Sequence, residues 1–112
     1  MRSGPITQGQ IEEELMRLLG ILESETEEFE VLAQHSAETE ASHKGQWAKQ
    51  YLSATGSVRS REAEADFAMS DSMYSYKIAE ALMKAKREKL LSLRTSIDAL
   101  RTLNANVRAQ VG

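Results

Sequence analysis

Four arginines one heptad apart form the strongest chemical pattern in the chain: Arg87, Arg94, Arg101 and Arg108. On a helix rising about 1.5 Å per residue they stand ~10.5 Å apart along one line. Lys84, Lys86 and Lys89 thicken the start of that line. Guanidinium groups match phosphate geometry, so such a stripe can follow a nucleic-acid backbone. The same positions flank a packing seam, where arginines commonly pair with glutamates of a neighbouring helix. Glu12, Glu14, Glu23, Glu25 and Glu28 are the candidates for that pairing. Both readings stay open at the level of sequence.

Other chemistry is thinner. Glu40-Ala-Ser-His43 has the Glu-x-x-His spacing that puts both side chains on one helical face, as in carboxylate-bridged di-metal sites. Such sites need further inward carboxylates, and only Asp71 is placed to help. His35 and His43 are therefore expected half-exposed on a polar face, with no metal and no cofactor. Trp47, Tyr51, Tyr74 and Tyr76 have faces on which bases could stack, but aromatics at the closed end of a helix pair more often fill the gap between helices. No nucleophile–base set, Gly-rich phosphate loop or cysteine ligand is present. Neither an enzyme nor a small-molecule substrate is expected.

The elements that must position these residues are helices. Leu90, Leu93, Ile97, Leu100, Asn104, Val107 and Val111 step alternately by three and four residues, the a and d positions of a heptad seam. The arginines fall at the flanking e position. A lone Asn104 at an a position fixes register or oligomer number at some cost in stability. Leu90, Leu93, Ile97, Leu100, Asn104 and Val107 are thus the candidate core of an oligomer.

Thr7 and Gln10 fit a capping box that opens a first helix. Ile11, Leu15, Leu18, Leu22 and Phe29 mark its apolar face, which lapses at Glu25. Beyond Leu32 the face thins to Ala33, Ala37, Ala41 and Ala48. Thr55-Gly56-Ser57 is the one clear turn: Gly56 closes a helix and Ser57 caps the next. The pattern predicts a disordered N-terminus over 1–6, then a single domain over 7–112. Its helices span about 7–54 and 58–109, with a turn at 55–57 and room for a kink near Ser70 to Ser75.

A short connection makes consecutive helices antiparallel. Folding about Gly56 pairs residues whose numbers sum to about 112, placing Glu12 near Arg101 and leucine-rich segment against leucine-rich segment. The fold class expected is all-α, an antiparallel hairpin of two long helices. Two helices leave Leu91, Leu103, Tyr74, Tyr76, Met73 and Met83 uncovered, so assembly into a helical-bundle or coiled-coil oligomer is expected as well.

Composition agrees. The chain has 112 residues, 5% aromatics, one proline and no cysteine, the make-up of long helices without disulfide or thiolate chemistry. No apolar run follows a basic segment at the start, and nothing approaches ~18 apolar residues, so neither a signal peptide nor a membrane span is expected. The formal charge of −3 is uneven. Residues 7–54 hold ten glutamates against three bases, while residues 84–108 hold seven bases against two acids.

The run from Gly56 to Ala65, followed by Ala79-Glu80-Ala81-Leu82, Arg87-Glu88, Ser92-Leu93-Arg94, Ile97 to Leu103 and Val107-Arg108-Ala109, resembles small helical proteins of tailed bacteriophages associated with replication and recombination gene clusters. The resemblance covers roughly residues 44–111 and carries no assigned site residues. It implies a non-enzymatic accessory protein in the cytoplasm of the host cell. The function expected is binding, as a DNA recombination or replication mediator that contacts single-stranded DNA or a recombination protein. The alternative is an inhibitor or scaffold that binds only protein, such as a host enzyme or defence factor, through its acidic first helix.

Overall fold

The computed structural model describes residues 6–111, so the N-terminal segment expected to be disordered lies, Ile6 apart, outside the described residues. The described chain is all-helical, with α1 at Gln8–Ser53, α2 at Val58–Ala68 and α3 at Ser70–Val111. No strand occurs among the described residues.

Local chemistry sets the ends. Thr7 N–H donates to Gln10 Oε1 (2.9 Å) while Gln10 N–H donates to Thr7 Oγ1 (3.2 Å), closing a reciprocal box at the start of α1. Gly56 adopts φ +109°, a backbone region that L side chains avoid. Ser57 then caps α2, its hydroxyl accepting from Ser60 N–H at 3.1 Å.

The helix after the turn is interrupted at Met69, one residue before the serine-rich stretch. Met69 leaves helical geometry (φ −108°, ψ 19°), and the Ser70 hydroxyl donates to the Phe67 carbonyl at 3.1 Å. A side chain entering the carbonyl ladder is a recognised cause of kinks. The ladder still crosses the break, because Met69 N–H bonds Ala65 O (3.0 Å) and Met73 N–H bonds Met69 O (2.9 Å).

The helices contribute to two compact units. One comprises the chain up to Glu28 together with Lys86 onward; the other is Phe29–Ala85. In the first, Glu25 meets Lys86 and Glu12 meets Arg108, so the two segments run in opposite directions. Its buried residues are Ile11, Leu18, Leu90, Ile97 and Asn104. Leu15, Leu22, Leu93, Leu100 and Val107 are half-buried beside them. This unit's own α1 segment therefore covers the seam that the sequence offered to an oligomer.

The second unit has a different core, made of Ala54, Ala65 and Ala79 with Ser36 and His43. Small side chains give little apolar area, so its packing relies on close backbone approach. Here the inward positions step 43, 47, 51 on α1 and on to 54 just past its end, and 61, 65, 69, 72 on the facing segment. A 4-4-3 spacing is eleven residues in three turns, which locally removes the left-handed supercoil of a heptad. Tyr76 and Met83, expected to be left over, are half-buried at seam positions, whereas Met73 and Tyr74 are exposed.

Candidate nucleic-acid interface

The arginine line belongs wholly to the first unit. Arg87, Arg94, Arg101 and Arg108 are all exposed, with 63% of the Arg101 and Arg108 side chains open to solvent. Arg101 reaches only Asp98 of its own helix, at 3.8 Å, and Arg108 reaches Glu12 at 3.8 Å. Arg87 and Arg94 have no ion-pair partner among the described residues. The expected pairing of Glu12 with Arg101 is replaced by Glu12 with Arg108.

Heptad position explains this. Glu12 and Arg108 are both e positions, and in antiparallel helices e faces e. One heptad along, the α1 residues opposite Arg101 and Arg94 are Leu19 and Thr26, which carry no charge. Glu23, Glu27 and Glu30 point away and are exposed.

The lysines do the pairing instead. Lys86 Nζ lies 2.6 Å from both Glu25 Oε2 and Glu28 Oε2, and Lys89 Nζ lies 2.9 Å from Glu25 Oε1. Side-chain exposure of Lys86 is 18% and of Glu25 13%, so this cluster sits in the seam. Hydrogen bonds from Lys86, then Lys89, hold the Glu25 carboxyl below its ordinary range, and Glu25, then Glu28, hold Lys86 above the usual lysine range. Lys86 is therefore part of the fold, while Lys89, with 55% of its side chain exposed, pairs with Glu25 from the rim. Lys84 lies in the second unit and pairs with Glu80 at 3.1 Å.

A pH dependence follows. Glu25 is depressed in the fold, so its contribution is present above the unfolded carboxylate pKa (about 4.3) and is lost as pH falls through the folded value. Lys86 is raised, so its contribution is complete below the unfolded lysine pKa (about 10.4) and is lost as pH rises through the folded value. Urea unfolding is expected to show a plateau between these limits, and Glu25→Gln should flatten the acid limb. An unchanged acid limb in that variant would remove Glu25 from the account.

Asn104 is 9% exposed at its a position, and its Oδ1 is buried without a hydrogen-bond partner among the described residues. An orphaned acceptor costs about 1–3 kcal/mol. Asn104→Leu should accordingly raise unfolding free energy by about 1–2 kcal/mol in denaturant titration. A loss of stability would mean that Asn104 finds a donor after all.

The remaining motifs have structural partners. His43, expected half-exposed, is buried, and its Nδ1 lies 3.0 Å from Ser72 Oγ. Glu40 pairs with Lys44 at 2.7 Å, so the Glu-x-x-His pair is divided between separate contacts. No cluster of three metal-ligating side chains occurs among the described residues. Trp47 Nε1 donates to Asp66 Oδ1 at 2.8 Å, an inter-helix bond that the sequence reading missed because Asp66 belongs to no motif. No described helix is long and apolar enough to cross a membrane.

Comparison with known proteins adds no relative: no protein family, no curated protein and no solved structure matches this chain.

Proposed function

We propose that this is a non-enzymatic binding protein that folds back as a helical hairpin, self-associates, and holds single-stranded DNA along Arg87, Arg94, Arg101 and Arg108. The observation that carries the reading is a division of labour between two kinds of base. Lys86 and Lys89 take Glu25 and Glu28 of α1, while all four arginines remain exposed, Arg94 and Arg101 among them opposite uncharged Thr26 and Leu19. Arginine suits phosphate better than lysine does, because its planar fork donates to two oxygens at once. A flexible strand can adapt its phosphate spacing to a straight line of charges. Self-association is supported by exposed Phe67, Tyr74, Leu82, Leu91 and Leu103, apolar side chains that a second copy can cover. The setting is an accessory role in bacteriophage recombination or replication, within the cytoplasm of the host cell.

A second reading has its own support. Glu13, Glu23, Glu27, Glu30 and Glu38 are exposed and have no ion-pair partner among the described residues. That acidic face suits a protein partner, such as a recombination protein, a host enzyme or a defence factor.

Fluorescence anisotropy of a labelled single strand at rising salt separates the two. Four arginine–phosphate contacts at about −0.7 each give an expected log–log slope of about −2.8. Absence of binding at low salt would transfer the proposal to the acidic face and a protein partner.

A further inference from the structure

The second unit contains a cavity of about 300 Å³ lined by His43, Lys44, Trp47, Asp66, Met73 and Tyr76. Its volume is at the lower end of small-ligand sites, which combine apolar and aromatic walls with a few polar groups. Both aromatic walls are held in place. Trp47 is fixed at its nitrogen by Asp66 (2.8 Å) and supported by Tyr51, stacked with ring centroids 5.5 Å apart and planes 11° apart. Tyr51 does not line the cavity. Tyr76 is stacked on His43 at 5.3 Å and 22°, and His43 is anchored in turn by Ser72 at 3.0 Å. The ammonium of exposed Lys77 lies over the Tyr76 ring, 4.9 Å from its centroid, where an incoming base would displace it. Two braced aromatic walls suit a flat ring.

The polar groups narrow the ligand further. Asp66 gives one carboxylate oxygen to Trp47 and keeps the other for a donor such as an exocyclic amine. Lys44 is exposed and bonded only to Glu40 of its own helix, so its ammonium can turn to an anion at the rim. A planar ring with an amine donor, attached to a phosphate, is a nucleotide.

We propose that this cavity is a base-binding pocket for the single strand, in which Trp47 and Tyr76 supply the stacking walls, Asp66 accepts from the base and Lys44 meets its phosphate. The proposal deepens the single-strand reading and rests on it for the source of the base. Stacking on aromatic side chains tolerates sequence, whereas the Asp66 acceptor favours bases that carry an amine.

Trp47 is the sole tryptophan in the chain, so its fluorescence reports the pocket directly. Three titrations into the full-length protein are compared: deoxycytidine monophosphate, oligodeoxycytidylate, and an abasic strand of the same length. Quenching by the first two and not by the abasic strand is the expected result. Asp66→Asn keeps an acceptor for Trp47 but offers an amide where the free oxygen was, and should weaken quenching by the mononucleotide about tenfold or more. Tyr76→Leu, checked for unchanged helicity, should weaken it by about fivefold or more.

If the strand binds with a salt-dependent slope but Trp47 responds equally to the abasic strand, the pocket proposal falls and the arginine line stands. The Trp47–Asp66 bond is then a staple between helices and nothing more. If the mononucleotide quenches Trp47 while no strand binds at low salt, the pocket stands and the single-strand reading falls. Unchanged mononucleotide quenching in both variants overturns the pocket.

Discussion

Replacing Ile97 by alanine is expected to lower the free energy of unfolding by about 2–3 kcal/mol, out of the roughly 5–15 kcal/mol that holds an ordinary domain together. Ile97 is only 3% exposed, in a core whose other buried apolar members are Ile11, Leu18 and Leu90. Truncation removes transfer free energy and leaves a cavity that packed neighbours fill incompletely. The expected value lies at the low end for a buried isoleucine because Leu93 and Leu100, on either side, are half-buried and the gap can admit water. The loss should not depend on protein concentration, since the covering helix belongs to the same chain. Urea titrations at two concentrations check this. Self-association through other surfaces lowers the midpoints of wild type and variant alike on dilution. A difference between the two that changes with concentration would return Leu90, Leu93, Ile97, Leu100 and Val107 to an intermolecular core.

How much of this was legible in the sequence depended on how local the signal was. Thr7 with Gln10, and Gly56 with Ser57, declare themselves within four residues, because a cap satisfies donors in its own turn. The Leu90-to-Val107 seam was equally plain, being apolar at all but one position. On α1 the same period was hidden by chemistry. Glu25, Ser36 and His43 stand at inward positions, where hydrophobicity alone reads an interruption. The partners of Glu25 and His43, Lys86 and Ser72, are 61 and 29 residues away, and only the folded chain brings them together. Once Glu25 is counted as a seam residue, the phase of α1 follows. That phase puts Leu19 and Thr26 opposite Arg101 and Arg94 and leaves Arg108 with Glu12 as the arginine–glutamate contact between the two segments among the described residues. The break at Met69 was partly legible in the serines that follow it. Its exact position was not, since the backbone ladder continues across the break.

The same phase yields the sharpest expectation for the arginines. Arg94→Gln with Arg101→Gln removes two of the four exposed guanidinium groups without touching the Glu25–Lys86 cluster. Because the facing residues are Leu19 and Thr26 and Arg101 reaches only exposed Asp98 of its own helix at 3.8 Å, stability should stay within about 0.5 kcal/mol of wild type. Binding of single-stranded DNA should weaken by about tenfold or more at moderate salt, and the log–log salt slope should fall from about −2.8 to about −1.4, at −0.7 for each lost contact. Lys86→Gln is the contrasting variant: it unpairs Glu25 and Glu28 within the seam, and is expected to loosen the fold while the arginine line keeps its charge. Thermal melting and anisotropy measured on both variants separate the two roles. A double arginine variant that melts early but binds with the wild-type slope would place the arginines in the fold, and binding would then have to be sought elsewhere on the chain.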